Sequence, residues 1–349
     1  MRLGLSLGSI GSGGPAEPVR LAREAEHLGY SVIWASEAYG SDAATLLSWV
    51  AAHTSSIDVG SAVLQMPART PVMTAMTAAT LDLLTGGRFR LGLGVSGPQV
   101  SEGWHGVRFD APLARSREYV EVVRIALARR IVTYDGDHFT LPLPDGPGKA
   151  LKLTLPPTDT AVPIYLAAVG PKNLELTGEV ADGWLAIFFA PEHAALSLEP
   201  LGAGTRRAGR SLLDVDVNAT VPVVVGDDLE AGANQLRGHT ALYVGGMGSR
   251  THNFYNALVR RMGFGDAARR VQDLYLDGHP REAMAAVPRE LIDQTALIGP
   301  CERIAERLHA YAEAGVTTLS VQPFGHTSDA RLAAVRGVSE ALMSSGLVD

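Results

Sequence analysis

The chain has 349 residues, of which 46% are hydrophobic, and its 30 basic and 37 acidic residues give a formal net charge of −7 at pH 7. A chain of this size and composition can bury one large core, so we expect a single domain over residues 1–349, with insertions. The mild acidity and the lack of a basic stripe argue against a nucleic-acid partner.

The single cysteine, Cys301, excludes an internal disulfide and fits a reducing compartment. No apolar run reaches the roughly 18 residues that a membrane span needs. The N-terminal run MRLGLSLG is too brief for a signal peptide and is predicted as the first strand. These features together predict a cytoplasmic protein without a membrane partner.

Three segments repeat one plan, in which an alanine-rich amphipathic helix stops at a glycine and an apolar strand follows at once. They are LAREAEHLGYSVIWAS, LELTGEVADGWLAIFF and LHAYAEAGVTTLSVQP. Glycine supplies the left-handed residue that ends many helices, and repeated helix-to-strand units indicate parallel strands. Strands are predicted at residues 2–7, 31–36, 58–64, 89–95, 163–168, 183–188, 215–225 and 317–322. Eight strands with helices between them predict an α/β fold of the (β/α)8 TIM barrel type.

Two long segments interrupt this repeat. Residues 131–161 contain YDGDHFTLPLPDGPGK, and their prolines and glycines predict a hairpin or an irregular flap. Residues 226–300 are predicted to be mostly helical. They form either a lid hinged at Gly245, Gly246 and Gly248 or a helical insert that only packs.

Candidate catalytic residues follow the predicted strands, because a parallel barrel carries its active site at the C-terminal ends of its strands. Glu37 and Tyr39 come just after the second strand, with Asp42 nearby. Each alone is more often a loop residue than a catalyst, but together they are candidates for proton transfer. His105, in the long loop after the fourth strand, can titrate near neutral pH or simply pack beside Trp104.

Several common motifs are absent or misleading. Gly92, Gly94 and Gly97 spell G-x-G-x-x-G, the pattern that opens nucleotide-binding helices. We expect an irregular chain from Pro98 to about Pro112, without that helix, and therefore reject a dinucleotide fold. No H-E-x-x-H, phosphate loop or G-x-S-x-G is present, so we expect no metal site, no nucleotide hydrolysis and no serine elbow.

The segment YLAAVGPKN offers a place for an anion. The fifth strand is predicted to end before Gly170, and a helix begins with Pro171. Free backbone N–H groups at a helix start, with Lys172 nearby, suit a phosphate. The alternative is that Pro171 merely starts a helix.

Five pieces of the chain together resemble the bacterial luciferase-like superfamily, and most closely its coenzyme F420-dependent oxidoreductase branch. They are IWASEAYGSDA, VGSAVLQMPARTP, GRFRLGLGVSGPQVSEGWHG, YLAAVGPKN and ADGW. The resemblance covers nearly the whole chain. It implies a TIM barrel, usually a homodimer, that holds a deazaflavin or flavin ring at its C-terminal rim, with F420 as the cofactor and FMN as the alternative.

The resemblance also implies which residues contact the cofactor. A bulge against the ring, often with a non-prolyl cis peptide, falls at Ala62 and Val63. The fourth-strand loop lines the cofactor's polar side chain, and the fifth-strand loop binds its phosphate. The full set is Ala62, Val63, Gln65, Gly94, Val95, Ser96, Gly97, Ala168, Val169, Gly170, Pro171, Lys172 and Asn173. Ala38 stands where relatives often carry Asp or His, so a sugar-phosphate dehydrogenase mechanism is not transferred.

The resulting hypothesis is hydride transfer between C5 of F420 and a small organic substrate. Glu37, Tyr39 or His105 would handle the proton, with Glu37 the first choice. The alternatives are an FMN-dependent monooxygenase on the same barrel and a barrel that binds a cofactor without catalysis.

The predicted rim carries aromatic side chains, including Phe188 and Phe189. They favour an uncharged substrate with a carbonyl, an imine or an activated double bond. Lys172, Arg250 and Arg69 could instead anchor an acid.

Overall fold

A closed barrel of parallel strands forms the centre of the computed structural model, which describes residues 1–10 and 13–347. Its strands are β1 (Arg2–Gly8), β2 (Val32–Ala35), β3 (Asp58–Ser61), β4 (Phe89–Gly94), β5 (Ile164–Ala167), β6 (Gly183–Ile187), β7 (Asp216–Val225) and β8 (Thr318–Pro323). Each strand pairs with the next, and β8 pairs with β1. The predicted TIM barrel is confirmed, with all eight strands within three residues of their predicted bounds.

Helices surround the barrel and fill the long excursions. They are α1 (Ala16–His27), α2 (Ala43–Ala51), α3 (Pro71–Thr85), α4 (Pro98–Gly103), α5 (Pro112–Leu127), α6 (Pro171–Val180), α7 (Ala195–Arg207), α8 (Leu229–Ala241), α9 (Phe254–Val259), α10 (Gly265–Leu276), α11 (Pro280–Ala285), α12 (Arg289–Thr295), α13 (Cys301–Glu313) and α14 (Ser328–Ser345). Short 3-10 turns lie at Met66–Ala68, Pro191–His193 and Leu212–Asp214, and π-helical turns lie at Leu242–Gly246 and Arg260–Phe264. None of these helices is both long and apolar enough to cross a bilayer.

The predicted glycine stops hold for two of the three helix-to-strand units. Gly29 after α1 and Gly315 after α13 have φ of 77° and 94°. The prediction is wrong for α6, which ends through Ala181 in an extended conformation (φ −106°, ψ 157°). There Gly183 begins β6, and a Cβ on it would lie 2.1 Å from the Tyr165 ring, so glycine is needed for space.

Charged side chains close the N-terminal end of the barrel. Arg90 of β4 pairs with Asp58 at 2.6 Å, donates to the Tyr165 hydroxyl at 3.0 Å and lies 3.5 Å from Asp216. Asp58 and Asp216 are the first residues of their strands. This network fills the floor, and the opposite, C-terminal end carries the loops that form the candidate site.

The two long excursions, residues 131–161 and 226–300, have the predicted secondary structure. In the first, Tyr134–Asp135 and Thr140–Leu141 pair antiparallel as a hairpin. The second is helical from α8 to α12 and then returns to the sheet through a strand that was not predicted, Leu297–Gly299, parallel to the end of β7.

The glycines of the second excursion do not support the hinge interpretation. A Cβ on Gly245 or Gly246 would lie 2.6 or 2.5 Å from atoms of Tyr275, so these glycines let two segments of the insert pack closely.

The segment after β4 also differs from expectation. Helix α4 begins at Pro98, directly after Gly97, where an irregular chain was predicted. The six-residue helix forms because Pro98 occupies its first turn, a position that needs no N–H donor. The closed barrel nevertheless confirms that the chain does not have a doubly wound dinucleotide-binding fold.

Candidate active site

The loop after β2 places Glu37 against Arg69, which follows β3. Arg69 Nη1 donates to both carboxylate oxygens of Glu37 at 2.7 and 2.9 Å, and Nη2 donates to Asp42 Oδ1 at 2.6 Å. The side chains of Glu37 and Arg69 are only 12% and 14% exposed. Burial raises the pKa of Glu37; Arg69 opposes this shift and the charge of Asp42 adds to it. Glu37 can therefore hold a proton at a higher pH than an exposed glutamate.

Gln65 links three loops of the rim. Its buried amide donates from Nε2 to the Ala38 carbonyl at 2.7 Å. Its Oε1 accepts from Ser96 Oγ at 2.7 Å and lies 3.2 Å from His105 Nε2. The loops after β2, β3 and β4 are therefore held in fixed positions by one side chain.

A bulge interrupts the sheet after β3. The peptide bond between Ala62 and Val63 is cis, at the position that the resemblance implies. The chain then rejoins the sheet at Leu64–Gln65, beside Leu93 and Gly94 of β4. A Cβ on Gly94 would lie 2.6 Å from Val63 Cγ2, so β4 passes the bulge with no side chain between them.

The start of α6 presents free donors. Gly170 precedes the helix and no side chain caps it. The backbone N–H groups of Lys172 and Asn173 have no acceptor within the described part of the chain. Such a helix start attracts an anion.

The cation beside this helix start is not the predicted one. Lys172 is 76% exposed and pairs with Glu175 at 3.2 Å, so its charge is neutralised on the surface. Arg261 of the excursion instead donates to the Val169 carbonyl at 3.1 Å and forms no ion pair with any described residue. Burial lowers the pKa of Arg261.

Five aromatic rings, here called the aromatic cluster, lie where the excursion meets the ends of β6 and β8. The cluster consists of Phe188, His239, Tyr243, Tyr255 and Phe324. Phe188, with φ of 56°, stacks on His239 at 5.9 Å between centroids. Tyr243 lies 4.7 Å and Phe324 5.4 Å from the His239 ring, and Tyr255 lies 4.9 Å from Tyr243.

His239 is neutral inside this cluster. Its Nε2 is buried and has no hydrogen-bond partner in the described chain. Burial lowers the pKa of His239 to about 4. At neutral pH the cluster therefore carries no charge.

The sequence profile of the luciferase-like monooxygenase family matches residues 3–318 of this chain. The chain belongs to this family. The resemblance inferred from five short segments is thereby confirmed.

Relatives of this luciferase-like chain include proteins named for F420. A Mycobacterium tuberculosis protein, provisionally named a coenzyme F420-dependent oxidoreductase, is 43% identical over 92% of this chain and 94% of that protein. The 5,10-methylenetetrahydromethanopterin reductase of Archaeoglobus fulgidus is 29% identical over 84% of this chain and 85% of its own. The solved coenzyme F420-dependent tetrahydromethanopterin reductase of Methanopyrus kandleri has a TM-score of 0.83 over 98% of both chains at 23% identity, which supports the fold.

The luciferase-like barrel brings some of the predicted residues together and leaves others apart. Gln65, Ser96 and His105 form one hydrogen-bonded group on the rim, and Gln65 also binds the carbonyl of Ala38, the neighbour of Glu37. Tyr39 is 59% exposed and makes no side-chain hydrogen bond with described residues. Burial, and secondly the charge of Tyr39, raise the pKa of Tyr243 in the aromatic cluster.

Arg261 and most of the aromatic cluster were not predicted as site residues of this family member. His239 and Tyr243 are four residues apart on consecutive helical turns, a spacing that places two rings on one face. That spacing was the available signal, but nothing in it tells a packed face from a binding face.

Proposed function

We propose that this chain is an oxidoreductase that binds coenzyme F420 and transfers a hydride between its C5 and a small organic substrate. The observation that carries the proposal is the platform at the ends of β3 and β4, where the cis bulge at Ala62 and Val63 lies directly against Gly94. The 43% identity with a protein named for F420 supports this cofactor over FMN.

The residues present fit such a cofactor. A flat ring needs a surface without projecting side chains, and Gly94 keeps the strand beside Val63 bare. A phosphate needs donors and a positive field, which the free N–H groups of α6 and the nearby Arg261 provide. Ser96 and Gly97, in the loop after β4, would line the cofactor's polar chain.

F420, when bound, supplies or accepts a hydride at C5 without oxygen chemistry. The protein must hold the ring, position the substrate and handle one proton. Gln65 fixes the loops after β2 and β4, which would surround the ring.

Glu37 is the proposed proton carrier. It lies on this rim, and its raised pKa brings a carboxyl group closer to the pH at which proton transfer is efficient. Arg69 keeps it in place through both carboxylate oxygens.

The aromatic cluster would form the wall against the substrate. Its rings are uncharged, and they favour an uncharged molecule with a conjugated carbonyl, imine or double bond. The three cations that the sequence suggested as anchors for an acidic substrate are each paired with acidic side chains, Arg69 with Glu37, Lys172 with Glu175 and Arg250 with Asp273 and Asp277.

The direct test is titration of the purified protein with F420 and, separately, with FMN, followed by fluorescence. We expect F420 to bind at least about tenfold more tightly than FMN, and reduced F420 to be consumed with cyclohex-2-enone under anaerobic conditions. Preferential FMN binding with oxygen-dependent turnover would support the monooxygenase alternative. Tight F420 binding without turnover of any carbonyl or enone would support a non-catalytic barrel.

A further inference from the structure

A cavity of about 300 Å³ opens beside the mouth of the barrel. One wall is the segment Met66–Thr70, which follows the cis bulge, and the other is the segment from Val107 into α5. Val95, which lies between Gly94 and Ser96 on the rim, also lines it. The volume is at the lower end of the range for small-ligand sites.

Four hydroxyl groups line this cavity; three of them donate within the protein, and the fourth, Thr70 Oγ1, accepts from the Met73 N–H at 3.2 Å. Ser101 Oγ donates to the Val107 carbonyl at 2.7 Å, and Ser116 Oγ donates to the Pro112 carbonyl at 2.7 Å. The Tyr119 hydroxyl donates to the Arg69 carbonyl at 3.2 Å. An anionic ligand in the cavity must therefore find its charge partners among other side chains.

Two guanidinium groups on the cavity wall have donors to spare. Arg108 makes no hydrogen bond or ion pair with any residue that the structure describes. Arg115 forms an ion pair with Asp110, which also lines the cavity, but their 3.6 Å separation is beyond hydrogen-bond distance. A third cation, Arg69, is already saturated by Glu37 and Asp42.

The rest of the lining is apolar and partly aromatic. Phe109, Phe139 and Val95 contribute to it, and the Arg115 guanidinium lies 5.8 Å from the centroid of the Phe139 ring. Guanidinium groups bind carboxylates through paired, planar N–H donors, and aromatic walls favour a flat partner. The combination selects an anion that is attached to a flat apolar body.

We propose that this cavity binds a small organic carboxylate with a flat apolar body, and that Arg108 and Arg115 are its charge partners. This site goes beyond the proposed function, because it needs no cofactor to form. Through Val95 it adjoins the rim, so a bound acid lies next to the predicted cofactor segment Gly94–Gly97.

The test uses cofactor-free protein, benzoate as the probe and benzyl alcohol as its uncharged counterpart. Calorimetry at low salt should show benzoate binding at least about tenfold more tightly than benzyl alcohol, since a charge-assisted hydrogen bond is lost in the alcohol. The double variant R108M/R115M should weaken benzoate binding by at least about tenfold. The control R130M removes an exposed arginine outside the cavity and should leave it unchanged.

Equal affinity for the two probes, equal loss in R130M, or no benzoate binding by the wild type below roughly 10 mM would overturn the proposal. Phenylglyoxal labelling gives a second readout that does not depend on the variants folding. Benzoate should protect Arg108 and Arg115 from modification but not Arg130, and labelling unaffected by benzoate would count against the site. Because F420 is not used, failure here and failure of the proposed oxidoreductase activity are separate results.

Discussion

Arg69 holds the two carboxylates of the loop after β2 in position. It holds Glu37 and Asp42 at once, and without it two carboxylates would face each other at the end of β2. The raised pKa of Glu37 results from this balance, because burial and the charge of Asp42 work against the attraction of Arg69. The chain thus keeps a partly buried carboxylate in an ion pair while its pKa stays above that of an exposed glutamate.

Replacing Glu37 with Gln should lower the turnover of reduced F420 with cyclohex-2-enone by roughly 100-fold, the usual contribution of a general acid. F420 affinity should stay near the wild-type value. In the wild type, activity should fall as pH rises through the raised pKa of Glu37, because the proton to be donated is lost, and this limb should be missing in E37Q. The control E102Q changes a rim carboxylate that accepts only from the Phe109 N–H. Unchanged turnover in E37Q would remove Glu37 from the mechanism.

Replacing Gly94 with Ala should weaken F420 binding by at least about tenfold, because the new methyl group would overlap Val63 Cγ2 and push the bulge away from its position. Gly103→Ala is the matched control, since a Cβ there meets nothing within 4 Å and Gly103 lies outside the predicted cofactor contacts. Fluorescence titration measures both affinities, and circular dichroism checks that the fold is kept. Equal affinity for F420 in the two variants would contradict the proposal that the cofactor ring lies against Val63 and Gly94.

At the level of elements, the insert from α8 to α12 brings a polar side chain into an apolar setting. His239 lies in α8 among the aromatic cluster, with its Nε2 buried and unpaired. Protonating it there would place a charge beside Phe188 and Phe324 without a counter-ion. The insert is therefore the part of the structure that acid should loosen first.

Acidification should lower the free energy of unfolding through His239. The pKa of His239 is about 4 in the folded protein and about 6.5 when unfolded, so its contribution is complete above pH 6.5 and is lost as pH falls toward 4. At pH 5 the loss should be about 2 kcal/mol. Urea unfolding at pH 7 and pH 5 measures it, and H239F should lack this part of the pH dependence. The control H279F changes an exposed histidine of the same insert, and an equal pH effect in wild type and H239F would refute the assignment.

Sequence patterns predicted the elements better than their ends. Apolar runs bounded by polar residues located all eight strands, because strands of a covered parallel sheet bury both faces. The pattern could not show that β3 stops at Ser61, since Ala62, Val63 and Leu64 continue the same apolar run through the bulge. It also missed the strand Leu297–Gly299, whose three residues are too few to stand out.

On the scale of the whole molecule, the outer face of α3 is unusually apolar. Met73, Met76, Leu83 and Leu84 follow the helical repeat and are exposed, Leu84 to 74%. Trp49 on the adjacent α2 is also exposed. Exposed apolar residues that gather on one face of a molecule can mark an interface. We propose that a second copy of the chain covers it, which agrees with the homodimer that the family resemblance implies.

Sedimentation velocity should show a dimer for the wild type and a monomer for the double variant M76E/L84E, because two buried charges without partners destabilise an interface. The control M343E places the same charge on an exposed methionine of α14. It should remain dimeric. A monomeric wild type, or dissociation of both variants, would contradict an interface at α3.

The candidate site was only partly accessible from the sequence. Ala62 and Val63 were reached through the family resemblance, because the apolar pattern places them inside the third predicted strand, whereas Gly170 follows a strand whose end could be predicted. The partners could not be predicted, since Arg69 reaches Glu37 across 32 positions and Arg261 reaches Val169 across 92. Such pairs depend on how the loops fold over the rim, and the spacing of apolar residues along the chain carries no information about this.

The short strand Leu297–Gly299 has a consequence for how this protein could be altered. It pairs with Val223–Val225, and the Gly226 N–H donates to the Gly299 carbonyl at 3.1 Å, so the excursion leaves and re-enters the sheet at one place. Because the two ends of the excursion are adjacent, its length does not affect the pairing of the barrel strands. The excursion could therefore be replaced by the corresponding segment of a relative. Such an exchange would change the residues that the excursion brings to the rim and leave the eight barrel strands undisturbed.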